Sequence, residues 1–374
     1  MSSPEPWVLQ ICHGYDGPFL DCARQYASLF AGTRYKVLTV YLSGAADAEV
    51  EAGSASDEVV FLGYGSRDMR GLKLRIIRDI ARLARSRDFR LCIAHRFKPT
   101  YIACLATRLP VIAVNHAFGV YQRFSRRLFA NAFRKRLVLL GVSNAVRDDI
   151  RSCLPAWPES RIETLYNRID LDAVQSQQVS REEAREHLGL PQDAWVVGNV
   201  GRLHPDKDQA TLIRGFALAL SSLPANSVLV IVGRGRLEAE LRALAKELGV
   251  EQAVLFLGQV ADAKRYFKAF DVFALTSDHE PFGMVLLEAM AAEIPVICSD
   301  CGGGREVVAD AGEVFPYRDQ EALARCLVDL SLAEALWLQD LADRMQANLA
   351  RRFTDSAATL RFDELMGTFP RYER

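Results

Sequence analysis

The stretch WVVGNVGRLHPDKDQATLI, Trp195–Ile213, reads as a complete strand–turn–helix unit. Trp195–Gly201 is an apolar run of strand length, and the polar turn after it leads into a helix over Gln209–Ser221. The chain then repeats itself. Ser227–Val232 is another strand, GRGR a turn, and a helix runs on to about Leu248. Val254–Leu257, Val272–Leu275 and Pro295–Cys298 continue the series of short apolar strands. Strands that alternate with helices predict a parallel sheet covered on both faces.

The same rhythm precedes this stretch. Trp7–Cys12 reads as a strand, followed by the turn HGYDGP and a helix from about Phe19 to Phe30. Tyr35–Tyr41, Leu91–Ala94, Val111–Val114 and Leu137–Gly141 are further strands, and Leu72–Arg87 a long basic helix. The segment Leu154–Glu163, with its two prolines, interrupts the pattern. The expectation is therefore two doubly wound α/β units joined near residue 170. Ligands of such sheets bind beyond the carboxyl ends of the strands, and with two sheets the cleft between them is the expected place.

Composition agrees. The 374 residues are half hydrophobic and a quarter charged, enough for two cores. No apolar run approaches the roughly 18–20 residues of a membrane span, and MSSPEPWVLQICHG lacks the basic start and apolar core of a signal peptide, so a cytoplasmic location is expected. Most of the eight cysteines lie in apolar runs, as in a reducing compartment. Cys298 and Cys301 form a lone CxxC with no second pair beside it, which is a weak metal or redox signal. Net charge is −1, yet residues 1–168 hold 25 Lys+Arg against 15 Asp+Glu, while the remainder holds 21 against 32. The first half is built to face something anionic.

Three stretches carry candidate chemistry. In SDHEPFGMVLLEAM, Ser277–Met290, Glu280 precedes a Pro-Phe-Gly turn and Glu288 sits inside an apolar helix that starts near Gly283. Free N–H groups at that start suit an anion. Ionised carboxylates accept hydrogen bonds only, so sugar hydroxyls suit the two glutamates. Each also has a plainer reading, as a helix-start carboxylate and a solvated side chain. In the opening stretch, Arg202 and Lys207 stand beside a helix start, a pattern suited to a diphosphate but also to a solvated loop. In IVGRGRLEAE, Gly233 and Gly235 begin a dinucleotide fingerprint that has no third glycine at Glu238, and a tight turn explains them as well.

Taken in order, VGRLHPDKDQATLI, LVIVGRGRLEAEL, VLFLGQV, SDHEPFGMVLLEAMAAEIPVI and CGGGREVV resemble the nucleotide-sugar domain of retaining GT-B glycosyltransferases of family 4. The resemblance is dense over about 195–310. It is loose in the first half, resting there on the Gly14–Gly17 loop, His116 and GVSNAVRDDI. It implies the GT-B architecture, two doubly wound Rossmann-like domains facing each other across a cleft: 1–168 for the acceptor, 169–350 for the donor, and a helical tail, 351–374, returning to the first domain. It further implies that Arg202, Lys207 and Gly14 meet the donor diphosphate and Glu288 the ribose. Glu280, with the backbone of Phe282, Gly283 and Met284, would meet the transferred sugar, and Gly258, Gln259 and Val260 the base. Glu280 and His116 are the catalytic candidates. The implied donor is a nucleoside diphosphate sugar, with neither a cofactor nor a metal required, although Asp170-Leu171-Asp172 and Asp206-Lys207-Asp208 are DxD strings. Two departures stand out: Arg168 where the family usually has Gly, and Glu293 where Gly usually precedes Pro-Val.

The basic stretches Arg70–Arg87 and Tyr121–Arg136 interleave arginines with apolar and aromatic residues, which fits an anionic membrane surface; packing on the sheet is the plainer reading. With such helices, the resemblance implies a lipid-linked, lipopolysaccharide-type glycan acceptor. Nucleic acid is not an expected partner, given the acidic second half. A dinucleotide oxidoreductase would need GxGxxG after the first strand, and HGYDGP lacks it. A catalytically inactive relative acting as a partner subunit remains the alternative within the fold.

Overall fold

The computed structural model describes residues 5–367. It comprises two compact units, 5–167 together with 355–367, and Arg168–Thr354. The first four residues of the expected N-terminal reading and residues 368–374 of the expected tail lie outside the described residues.

In the first unit, seven parallel strands are arranged β3-β2-β1-β4-β5-β6-β7: β1 (Trp7–Cys12), β2 (Lys36–Tyr41), β3 (Glu58–Phe61), β4 (Phe89–His95), β5 (Val111–Asn115), β6 (Leu137–Gly141) and β7 (Ile162–Thr164). The central strands are buried nearly throughout, with Val8, Leu9, Cys92, Ile93, Val111 and Val114 fully enclosed. That is why they read as unbroken apolar runs. The strand order runs outward in both directions from the β1–β4 pair, so the switch point lies where His13 and Arg96 leave the sheet. The helix Asp355–Gly367 belongs to this unit: Phe362 is buried, with its ring centroid 5.6 Å from that of Phe30. Arg24 pairs with Asp355 at 3.2 Å.

The expected long basic helix is shorter, Leu74–Leu83. Its start is displaced because Lys73 takes a left-handed conformation, φ 56°, after Gly71. Three strands escaped the sequence reading, Glu58–Phe61, Ile162–Thr164 and, in the second unit, Glu313–Phe315. All lie at sheet edges, where short runs broken by charged residues suffice.

The second unit has the order β10-β9-β8-β11-β12-β13: β8 (Val196–Val200), β9 (Val228–Val232), β10 (Val254–Gly258), β11 (Val272–Leu275), β12 (Val296–Ser299) and β13 (Glu313–Phe315). Among the described residues its strand pairings are all parallel, and the switch point falls between β8 and β11. Both termini of this unit are tied together by the Ile169 N–H donating to the Phe353 carbonyl at 3.0 Å. Arg168, the first departure from the family pattern, is fully buried.

The second departure has a backbone consequence. Glu293 follows the helix Met284–Ala291 with φ 63°, a left-handed conformation that glycine adopts at no steric cost. Its side chain is exposed, so nothing is lost by removing it. Glu293→Gly is expected to stabilise the second unit by about 0.5–1 kcal/mol, read as a higher urea midpoint. A lowered midpoint would mean that the glutamate is not strained there.

Candidate functional site

In the second unit the site grows from three turns at the carboxyl ends of β8, β9 and β10. Gly201 N–H donates to the Val232 carbonyl at 2.9 Å, Leu203 N–H to Arg234 at 3.1 Å, and Gly233 N–H to Gly258 at 2.7 Å. The turns touch so closely that a Cβ on Gly233, where φ is 142°, would stand 1.8 Å from the Gly201 carbonyl oxygen. On Gly235 it would stand 2.2 Å from that of Leu203. The two glycines of GRGR thus exist for contact between turns, not for a dinucleotide fingerprint.

Across the switch point, the loop after β11 holds the loop after β8. The buried Thr276 hydroxyl lies 3.0 Å from the Lys207 carbonyl and 2.9 Å from that of Asp208, and Asp278 N–H donates to the Asp206 carbonyl at 3.0 Å. These bonds deliver Lys207 to Glu280, Nζ to Oε2 at 2.6 Å, with the side chains 18% and 11% exposed. Ser277 Oγ donates to the same carboxylate oxygen at 3.2 Å. Both contacts use Oε2, which leaves Oε1 without a partner among the described residues. The Glu280 carbonyl accepts from Gly303 N–H at 2.7 Å. A Cβ on Gly303 would lie 2.5 Å from the Pro281 carbonyl oxygen, so the CGGG run lets the helix Gly302–Val308 press against the Glu280 loop. Thr276, Ser277 and Gly303 are site-building residues that the sequence reading did not single out. Their signal was the polar pair that ends an otherwise apolar run, FALTS, and the glycine triplet.

The other residues predicted in this unit lie on its turns and on the helix after Glu280. Gly283, φ 100°, caps the helix Met284–Ala291, and a Cβ there would sit 2.9 Å from Leu286 Cδ1. Phe282 is buried with its ring against Phe353, centroids 5.7 Å apart, so only its backbone can meet a ligand. Met284, Val285 and Glu288 share the partly exposed face of the helix, while Leu286, Leu287 and Met290 face the core. Gly258, φ 69°, and Gln259 and Val260 form the turn after β10, bonded to the Gly233 turn. Arg202 differs from Lys207: its side chain is 73% exposed, with Asp206 at 3.4 Å as its ion-pair partner. Both DxD strings serve as helix caps. Asp170 accepts from Ala173 N–H at 3.0 Å, and Asp208 from the Thr211 hydroxyl at 2.7 Å. Burial raises the Asp208 pKa. Among the described residues, no group of three or more His, Cys, Asp or Glu is placed to hold a metal ion. The cysteines, Cys298 and Cys301 included, are free thiols.

Gly14 and His116 belong to the first unit. Gly14 follows β1, and a Cβ there would meet Ser43 Oγ at 2.8 Å, so the missing side chain makes room for the loop after β2. His116 ends a relay. Gln10 Nε2 donates to the Ala23 carbonyl at 3.0 Å and to Thr39 Oγ1 at 2.9 Å, which turns its amide oxygen toward His95 Nε2 at 3.3 Å. His95 Nε2 must therefore carry the proton, and its Nδ1 accepts from His116 Nε2 at 3.2 Å. His116 Nδ1 is left with a lone pair toward the Cys22 thiol at 3.9 Å. Burial, followed by the nearby Arg96 charge, pushes the His116 pKa down to about 3. His95 is lowered by burial, then by His116 and Arg96. Beside them lies a pocket of about 280 Å³ at the β1–β4 switch point, lined by residues that include His13, Arg96, Lys98, His116 and Arg126.

Residues 20–173 match the family described as Glycosyltransferase Family 4, and residues 180–351 the family described as Glycosyl transferases group 1. By these two matches, which together take in most of the chain, it belongs with the glycosyltransferases of GT-B type. Among curated relatives, it is 32% identical over 226 residues to the N-acetylgalactosamine-N,N'-diacetylbacillosaminyl-diphospho-undecaprenol 4-alpha-N-acetylgalactosaminyltransferase of Campylobacter jejuni, covering 57% of this chain and 58% of that one. It is also 32% identical over 188 residues to the lipopolysaccharide core biosynthesis glycosyltransferase LpsE of Rhizobium meliloti, covering 50% and 54%. The match thus spans little more than half the length of either relative. Two solved structures share the fold over nearly the whole of both chains. The Anabaena protein HepE, crystallised with UDP and glucose, superposes with TM-score 0.77 at 21% identity, covering 98% of this chain and 100% of its own. A glycosyltransferase from Rickettsia africae gives 0.82 at 15% identity, covering 97% and 98%.

The relay makes a pH prediction. The folded imidazoles of His116 and His95 refuse protons that the unfolded chain takes up. Stability of the first unit is therefore expected to be level above pH 6.5 and to fall as pH drops from there toward about 3. Imidazole NMR shifts of His116 should stay those of a neutral ring down to about pH 4. A ring that titrates near 6.5 would overturn the relay.

Proposed function

We propose that the chain is a retaining glycosyltransferase that moves a sugar from a nucleoside diphosphate sugar to a hydroxyl of a lipid-linked glycan. The observation that carries this reading is the Lys207–Glu280 pair, set across the switch point of the second sheet beside a helix start. The group 1 family match over the same unit supports it. In this reading Lys207, with Arg202 swinging in from solvent, holds the diphosphate. Glu288, on the partly exposed helix face, takes the ribose hydroxyls. Glu280 Oε1, with the backbone of Phe282, Gly283 and Met284, takes the transferred sugar, and the Gly258–Val260 turn meets the base.

The acceptor oxygen bonds to the anomeric carbon on the face from which the diphosphate leaves, and its proton passes to the departing phosphate oxygen. The protein contributes orientation and charge stabilisation through Lys207, Arg202 and the helix N-terminus, with no covalent nucleophile and no metal. His116, neutral and turned inward, contributes an uncharged wall to the acceptor side. The LpsE and undecaprenol-linked relatives support a lipid-linked acceptor.

The first unit supports docking on anionic membrane. Leu72, Leu74, Phe124 and Leu128 are exposed beside Arg70, Lys73, Arg75, Arg123 and Arg127. The two patches are linked through Tyr101, whose ring lies 5.2 Å from Lys73 Nζ and 5.1 Å from the Phe129 ring. Among the described residues, no helix is long and apolar enough to cross a membrane.

Two measurements test the reading. Glu288→Ala should weaken binding of the matching nucleoside diphosphate about 10- to 100-fold, from a lost charged hydrogen bond of roughly 1.5–3 kcal/mol. Glu280→Gln, which frees Lys207 from its carboxylate, should keep or tighten that binding while kcat falls by a similar factor. Equal loss of diphosphate binding in both variants would reduce Glu280 to a structural carboxylate. Separately, vesicle co-sedimentation should rise with anionic lipid and fall with salt; binding that ignores lipid charge would exclude the membrane surface.

A further inference from the structure

The pocket at the switch point of the first sheet has a charge problem that no ion pair among the described residues solves. Arg96, Lys98 and Arg126 line it together with His13, Asn115 and His116, and no carboxylate is among its lining residues. Elsewhere in the unit, arginines find carboxylates, as Arg24 does with Asp21 and Arg87 with Glu58. Among the described residues, none of these three cations forms an ion pair. They are held by other means. The Arg96 guanidinium lies 3.6 Å over the Phe19 ring, and that of Arg126 lies 4.7 Å over Phe97 while donating to the Val120 carbonyl at 3.1 Å. A stacked guanidinium keeps its in-plane N–H groups for another acceptor.

The backbone supports the same point. Arg96 has φ 74° and ψ 167°, a region occupied almost only by glycine. Such strain persists where the surrounding structure forces it and gathers at ligand sites. The cations also feel one another: burial lowers the His13 pKa first, and Lys98 and Arg96 lower it further.

From this geometry we infer that the pocket binds a phosphate group, as a phosphate or diphosphate ester, carried by the acceptor substrate. A single carboxylate would leave most of the positive charge unmatched, whereas a phosphate offers several acceptor oxygens in the forked geometry that arginine prefers. At about 280 Å³ the pocket has room for a group of sugar-phosphate size. This rests on the glycosyltransferase reading, in which the donor diphosphate is already provided for by Lys207 and Arg202. The acceptor's receiving sugar would then sit next to its own phosphate linkage.

The test is calorimetry on the full chain with inorganic pyrophosphate and with UDP, GDP and ADP. Lys98 and Arg96 are exposed to the pocket, so Lys98→Ala and Arg96→Gln leave the core untouched. In a Lys207→Ala background, pyrophosphate should still bind. Adding Lys98→Ala or Arg96→Gln should then weaken it about tenfold or more, as expected for a lost charged hydrogen bond. In the otherwise native chain, Lys98→Ala should leave affinity for the nucleoside diphosphate that binds best within about twofold. Pyrophosphate affinity indifferent to both pocket substitutions would overturn the site. A tenfold loss of nucleoside diphosphate affinity in Lys98→Ala would assign the phosphate to the donor and overturn the acceptor assignment. Failure of the glycosyltransferase reading looks different, since then no nucleoside diphosphate binds the native chain at all.

Discussion

Lys207 and Glu280 come from turns on opposite sides of a switch point, and each depends on the other to be where it is. A lysine and a glutamate this far out of water are costly to desolvate, and removing one partner of such a pair typically costs about 3–5 kcal/mol because the other charge is stranded. The pair is affordable because its supports are already fixed. Thr276 holds the lysine turn by two carbonyls, Ser277 completes the carboxylate oxygen, and Gly303 anchors the glutamate backbone. The sheet order follows the same logic: only β8 and β11 as neighbours bring those two turns together.

The strands of the fold were largely legible because they are buried on both faces. Trp7–Cys12, Leu137–Gly141 and Val272–Leu275 stand where the apolar runs place them. Three of the four edge strands were not legible, since Glu58–Phe61, Ile162–Thr164 and Glu313–Phe315 are short and each carries a glutamate, whereas the edge strand Val254–Gly258 was read from its longer apolar run. The basic helix was overextended because a helical repeat cannot reveal that Lys73 turns left-handed. In the site, Lys207 and Glu280 could be named from the sequence, but their bond could not. It spans 73 positions and depends on a threonine hydroxyl that no spacing rule marks. The GRGR glycines were visible as turn residues, whereas the carbonyls they avoid belong to another turn.

The first unit shows how local chemistry can be fixed at a distance. The Ala23 carbonyl orients the Gln10 amide, Gln10 sets the tautomer of His95, and His95 sets that of His116. Four groups therefore share one proton arrangement, and the ring that borders the pocket is neutral by construction. The positive charge beside it comes instead from arginine and lysine, whose ionisation does not change across physiological pH. The pocket keeps its charge while the histidines keep their protons.

The chain enters and leaves the second unit at adjacent points, joined by the Ile169–Phe353 backbone hydrogen bond. The first unit is thereby split by an insertion, and its closing piece, the helix Asp355–Gly367 with Phe362 against Phe30, leaves the ribosome only after the whole second unit. During synthesis the inserted unit has all its residues available, and its two ends lie close together. The earlier-made sheet must wait with Phe30 uncovered until residue 355 and beyond emerge. The second unit can therefore complete its fold before the first, although it is translated after it. The nascent first unit is the species with exposed apolar surface, and so the one that chaperones would meet.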